Sequence, residues 1–588
     1  MNIALVLIGS IGSLAAGYLL YGRFIARKIG VDPERPTPAV TLNDGKDYVP
    51  AKPLVLFGHH YASIAAAGPI VGPTLALYYG VVPTWLWLIL GVIFIGAVHD
   101  FTVLFVSTRE RGRSIAEIAR KTLGRAGFVF FVAFALLLCI LVTAAFLDLA
   151  ARALTSEYPL EGLDLPAGQT LIRTGVNAAG DTVAKFGGIA STSVIVITMF
   201  APLIGYLLYK KNQPVLRMSL VAMTICIVSV LVGFLWPVTL DPVVWMGVLS
   251  AYIVIAAWVP VWSILQPRDF INVHFLYVGL FGMIAGILGG GLSGMTIDAP
   301  AFNLGPDTLA ALGAAWPFLF VTIACGACSG AHCLISSGTT SKQLASEKHA
   351  TAIGYGGMLL ESLLGICVML CIVGGLGFVE YEQIVWPMAD GKFLPGNAPL
   401  AFALAVGKTL NGGLGIPVVY GTLFGILLLE GFVLTTVDTI VRLERYLLEE
   451  LWAVLLVRVP RLLRTKAFNS ALAVGLMISL ALSNAYQTIW PVFGAANQLL
   501  AAFALIAVTG WFMQRGVKSW FTAIPAAFML VTTGGSLVLL LERYASDGNW
   551  VLTVTDLVLL ALASGVVVMT FGFFYRLRRK ISAEAGTG

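Results

Sequence analysis

Long apolar runs recur from one end of the chain to the other, each closed by a polar, proline-rich or glycine-rich stretch. About 20 apolar residues in a helix cross a hydrocarbon core of about 30 Å, so these runs are long enough to span a bilayer. The pattern predicts fifteen spans: 2–22, 54–79, 81–106, 127–153, 186–209, 216–236, 243–264, 271–292, 312–336, 351–376, 414–440, 467–486, 488–510, 518–541 and 551–575. Segment 397–411 is too short and interrupted to span and reads as a re-entrant or surface helix. The short alternating segments of a membrane barrel are not found. The first run, Ile3 to Leu20, has no basic flank before it and no small-residue cleavage site, so it reads as a retained helix and not a signal peptide.

Composition agrees. Of 588 residues, 58% are hydrophobic and only 11% charged, with a mean hydropathy of +0.90; soluble chains carry about 25% charged residues. The fold class is therefore an all-α polytopic membrane protein, one transmembrane domain over residues 1–588. The net charge of +6 does not point to nucleic acid, because the basic residues sit in short loops. Loop 107–126 carries Arg109, Arg111, Arg113, Arg120, Lys121 and Arg125; loop 441–466 carries six more; the tail carries Arg576, Arg578, Arg579 and Lys580. Loops 154–185, 293–311 and 377–396 are acidic or neutral. Cytoplasmic loops are enriched in Lys and Arg. Fifteen spans with the N-terminus periplasmic and the C-terminus cytoplasmic put every basic loop on one side; a further span at 397–411 would move the 441–466 cluster to the wrong face. The seven cysteines all fall in apolar runs and read as free, buried thiols.

Ionisable groups inside a span are costly and usually face a bundle interior or a water-filled cavity. Here they are His59, His60, His99, Asp100, Asp148, His274, His332, Glu361, Glu430, Asp438 and Asp556. His274, Asp438 and Asp556 lie near span ends, where interfacial water or helix capping accounts for them, and Asp148 is likewise near an end. Four features ask for more. In FGHHYASIAAAGPIVGP (57–73), Pro69 and Pro73 remove backbone donors and should break the span over Ala67–Gly72. His99–Asp100 follows in the next span; neighbours on a helix point about 100° apart, so one should serve a cavity while the other pairs with a basic residue such as Arg109. ACGACSGAHCLISSGTTSKQ (324–343) reads as a second unwound segment. Its Cys-x-x-Cys lacks the second pair of a structural zinc site, so no metal is expected. Glu361 is the only charge in its span and suits a reversible proton carrier. WVPVWSILQPRDF (258–270) and the Asn497–Gln498 pair are softer signals, the latter fitting interhelical hydrogen bonding.

The two interrupted segments enter from opposite sides, and each precedes a span bearing a carboxylate, Asp100 and Glu361 respectively. Such pairs mark inverted-repeat secondary transporters with discontinuous helices and a site near the midplane. The division expected is an extra N-terminal helix and cytoplasmic loop (1–53), a first repeat region (54–292) and a second with C-terminal helices (312–575). Pairing 54–79 with 243–264 satisfies the same parity. Half-helix N-termini favour a carboxylate. The substrate-binding candidates are Ser63, Ala67, Gly68, Gly72, Cys325, Gly326, Ser329, Gly330 and Ser336. The proton-coupling candidates are His59, His60, His99, Asp100, His332 and Glu361. No phosphate-loop motif is present, and the polar groups are scattered over too many spans for a simple pore.

KPLVLFGHHYASIAAAGPIVGP, HDF, WSILQPRDF, CGACSGAHCLISSGTTSKQL and WPVFGAANQLLAAFALI together resemble the carbon starvation protein A family of bacterial inner-membrane transporters, over about residues 1–575. The resemblance implies kinship with the amino acid–polyamine–organocation superfamily and its LeuT-like five-plus-five inverted repeat. It also implies uptake of short peptides or proton-driven symport of pyruvate. The expectation is thus proton-coupled uptake of a small carboxylate, pyruvate first and short peptides second, with sodium as the other coupling ion and no cofactor. The partners expected are the substrate and the bilayer, with a homo-oligomer left open. A nutrient-sensing membrane protein is the reading from another class, and an enzyme is not expected.

Overall fold

A backbone surrounded by hydrocarbon must satisfy its N–H and C=O groups internally, and the apolar runs accordingly fold as helices. The computed structural model describes residues 1–588 except 45–47, 161–162, 164–171, 177–179, 261–262 and 586–588. Trp262 and the side chains of Arg578, Arg579 and Lys580 lie outside the described residues. Among the described residues twelve helices are long and apolar enough to cross a membrane, and one bent pair, Pro53–Ile64 with Gly68–Tyr79, brings the number to thirteen.

The other two of the fifteen runs are shorter or divided. The run 243–264 yields only the 17-residue helix Pro242–Trp258. The run 312–336 is divided into Ala315–Thr322, Ala324–Ala327 and Ala331–Ile335, each too short to cross. The helix Ala398–Leu414 does form, largely buried. Its start bonds to Ile384 and Tyr486, and its last turn lies against Gly289 beside Met295. Both neighbourhoods belong to one end of the bundle, where the helix packs antiparallel beside the start of Val418–Leu455, with Ala403 on Gly425 and Gly407 on Thr422. Short strands, absent from the all-helical expectation, stiffen the loops there: a three-stranded antiparallel sheet (Tyr158–Pro159, Thr174–Val176, Thr182–Ala184) and a two-stranded one (Met388–Ala389, Lys392–Phe393).

Charge separates by end, as the loop pattern predicts. At one end Arg109 pairs with Glu347 and bonds to the Gly30 carbonyl, while Lys121 and Arg515 pair with Glu110. At the other, Tyr78 donates to Glu382, Tyr158 to Glu380, and Met1 accepts from Ile297. The centre of the bundle is Tyr486–Met513, whose most apolar window is 100% buried; Trp550–Arg576, at 22%, and Ile3–Ile29, at 33%, are peripheral. Large side chains such as Leu5, Phe281 and Phe571 point outward, as lipid-facing positions should.

Candidate functional site

The chain breaks where small residues make breaking cheap. The first interruption falls at Ala65–Ala67, with Ala65 at φ −73°, ψ 66°. It precedes the prolines instead of following them. Pro69 occupies the first turn of Gly68–Ala76, where a missing N–H costs nothing, so Gly68–Gly72 is helical and the expectation of an unwound 67–72 is corrected to 65–67. The second interruption is double. Ile323 (φ −92°, ψ 58°) and Cys328 (φ −164°, ψ 119°) bracket a single turn, Ala324–Ala327. Asn497 holds its far side: its side-chain carbonyl accepts from the Ala331 N–H (3.0 Å), and its amide donates to Ser329 (3.1 Å).

The two interruptions touch. A Cβ placed on Gly68 would lie 2.2 Å from Cβ of Cys325, closer than any two such atoms approach. Beside that contact, Val81–Arg109 passes through a π-helical stretch, Trp87–Gly96, immediately before His99. Gly96 lets the Ala327 carbonyl come so near that a Cβ would lie 2.1 Å from it. The widened turns set where His99 and Asp100 point, a feature common at functional sites.

His99 and Asp100 do not part company as predicted, and Arg109 pairs with Glu347 instead. Nδ1 of His99 lies 2.7 Å from one oxygen of Asp100, and Nδ1 of His332 lies 2.8 Å from the other. This network assigns Nδ1–H to both imidazoles. Nε2 of His332 then faces Glu361 at 3.4 Å and the thiol of Cys325 at 3.6 Å. All five side chains are buried, and neither oxygen of Glu361 makes a hydrogen bond. A proton between His332 and Glu361 has two homes, the neutral carboxyl or the imidazolium, and Asp100 stabilises the second. At 3.4 Å the pair is longer than a strong hydrogen bond, so neither home is locked. The same three groups, Cys325, His332 and Glu361, lie within 4.8 Å of one another. With His332 oriented by Asp100, as metal-binding imidazoles usually are, they form a donor set that fits a thiophilic divalent ion, a fit the Cys-x-x-Cys spacing did not reveal.

The other candidates sit around this core. His60 is buried, with Nδ1 2.9 Å from Thr340 Oγ1, and its ring lies against Gly357, one turn before Glu361. His59 is exposed on the other side of the same helix. Ser63 is half-buried and bonds back to the His59 carbonyl. Ser336 is buried without a protein partner. Gly326 lies near Pro69, Gly72 near the Thr322 carbonyl, and Gly330 against Asn497. Of the groups dismissed as lying at span ends, Asp148 pairs with Arg152 and accepts from the Tyr486 N–H. Asp438 is not interfacial but fully buried in an ion pair with Arg268 at 2.9 Å. Asp556 is also buried, with no protein partner and no capping role. Sequence reasoning noted Glu430 among the intramembrane charges and Arg268 within WVPVWSILQPRDF but gave neither a role, although a charged residue in an apolar run is the signal that singled out Glu361.

Among known proteins, the family model described as carbon starvation protein CstA matches residues 2–390 and 393–536. The peptide transporter CstA of Escherichia coli (strain K12) is 33% identical over 91% of this chain and 80% of its own length. The pyruvate/proton symporter BtsT of the same organism is 31% identical over 90% and 81%. A mutant form of the Eremococcus coleocola manganese transporter overlaps 92% of this chain and 99% of its own, at 11% identity and a TM-score of 0.40. The chain is a multi-pass membrane transporter, and it belongs to the carbon starvation protein CstA family.

Proposed function

We propose that this protein is a secondary active transporter of the bacterial inner membrane that takes up a small carboxylate nutrient together with protons. Pyruvate is the first substrate to test and a short peptide the second; both carry a carboxylate, and relatives bear both names. The observation that carries the reading is the buried line His99–Asp100–His332–Glu361, laid against the contact of two interrupted helices. Intramembrane titratable groups in such lines serve proton relays in transporters. Discontinuous helices meeting at depth are the usual frame of a substrate site, and an inverted repeat relating 54–292 to 312–575 would supply it.

Gly68 and Cys325 leave no gap between them, so a carboxylate reaches the amides of 65–68 and 325–330 only when the two segments part. Binding then separates them, and protonation of the His332–Glu361 pair balances the charge that the carboxylate brings. The test is uptake of labelled pyruvate and of a labelled dipeptide into proteoliposomes under imposed proton or sodium gradients. Acid-outside conditions should drive one of them, and Glu361→Gln should abolish that drive while leaving the protein inserted. Uptake that survived the substitution and ignored the proton gradient would refute the coupling role; stoichiometric zinc in the purified protein would favour the metal-binding reading of Cys325, His332 and Glu361.

A further inference from the structure

A second buried polar group lies outside the interrupted helices, among Phe186–Gly205, Pro242–Trp258, Leu265–Leu292 and Val418–Leu455. Arg268 is its centre. It pairs with Asp438 at 2.9 Å and donates to Tyr252 at 2.5 Å and Thr435 at 3.3 Å, while Tyr252 donates to Asp438 at 3.1 Å. Its Nε has no protein partner. Glu430, two turns before Asp438 on the same helix, is 0% exposed, and neither of its oxygens has a protein partner. Arg268, Glu430 and Asn272 line one cavity of about 10 Å³, otherwise walled by Val194, Ile197, Phe275, Leu427 and Leu434. That is the space of a single water molecule.

The charges do not balance as ions. Asp438 already neutralises Arg268, so an ionised Glu430 would be an uncompensated buried charge, which is strongly disfavoured. A metal cation needs several oxygen ligands, whereas the cavity wall offers one carboxyl and one amide beside a repelling guanidinium. A proton needs only the carboxyl. Arg268 is the titratable group that lines the cavity with Glu430; Asp438 and Tyr252 connect to it through Arg268, the half-buried Asp269 is the next residue on Leu265–Leu292, and Phe186–Gly205 contributes Val194 and Ile197 to the wall.

We propose that Glu430 and Asp438 share one proton and that Arg268 pairs with whichever of them is ionised. In the arrangement seen, Glu430 holds the proton and Asp438 the arginine. When that proton passes from the Glu430 hydroxyl by way of the cavity water to the Asp438 carboxylate, the guanidinium turns its free Nε edge to the newly ionised Glu430. The number of charges is unchanged throughout. This is a second proton-carrying site, separate from the His332–Glu361 pair, and it does not rest on the identity of the substrate.

The test reads protonation directly, without transport. Dicyclohexylcarbodiimide adds to protonated carboxyl groups in apolar surroundings, and the full chain in liposomes can be labelled and mapped by peptide mass spectrometry. Glu430 should be modified, and the modification should fall as pH rises. Asp438→Asn leaves Arg268 free to hold Glu430 ionised, so it should cut the Glu430 adduct severalfold while leaving any Glu361 adduct unchanged. Should that variant not accumulate in the membrane, Tyr252→Phe, which removes the hydroxyl joining Arg268 to Asp438, should shift the adduct in the same direction. The absence of a Glu430 adduct at every pH would overturn the proposal. So would an adduct indifferent to both substitutions, or protection by sodium at fixed pH, which would mark a sodium site.

Discussion

At Asp100 a single carboxylate holds two imidazoles, one on each oxygen. Asp100→Asn keeps the shape but offers one acceptor oxygen in place of two, so one histidine loses its partner. A buried donor left unpaired costs about 1–3 kcal/mol; the variant should melt earlier by that amount and lose proton-driven uptake while retaining substrate exchange, in which no net proton moves. Retained accumulation under a proton gradient would remove Asp100 from the relay. Gly68 makes a second test. Gly68→Ala forces a methyl into the side chain of Cys325, and overpacking of this kind costs about 1–3 kcal/mol. Cys325→Gly vacates that space, so the double variant should recover most of the loss in thermal unfolding. At this scale His99, Asp100, His332 and Glu361 were legible because each is a polar letter in an apolar run. Their convergence was not, because the π-helical stretch Trp87–Gly96 re-aims the helix and leaves no mark in hydrophobic spacing.

Among the helices, the misreadings share a cause: where an element was taken to end. The apolar run 414–440 continues as one helix to Leu455, so Asp438 is interior to a helix and not at its mouth. Once the end is moved, Glu430 and Asp438 read like Glu361. The prolines misled in the same way, since Pro69 can start a half-helix as readily as stop one. Asn497 shows the opposite case: an amide in a late span was expected to bond between helices, and it does, clamping Ser329 and Ala331 beside the second interruption. Asn497→Ala leaves the Ala331 N–H and the Ser329 hydroxyl without that partner, a loss of about 1–3 kcal/mol. It should lower the unfolding midpoint and raise hydrogen exchange at 329–331 more than elsewhere. Uniform exchange across the chain would show that the clamp is not local.

The whole molecule has a basic end and an acidic end, and the loop charges alone were enough to foresee it, because charge bias in short loops acts through the membrane and not through packing. If the basic end is cytoplasmic, a cysteine at Asp390, exposed in the loop after Val385, should react with an impermeant maleimide on intact cells. One at Arg461, exposed beyond Leu455, should react only after permeabilisation. The native background for such labelling is low, since all seven cysteines are buried. The reverse pattern would invert the topology. Cys325, sealed beneath Gly68, gives this molecule a built-in clock. A thiol that reacts only while two half-helices stand apart is alkylated at a rate equal to their opening frequency multiplied by the chance of capture, so the modification rate of that one peptide reports how often an unloaded carrier exposes its centre.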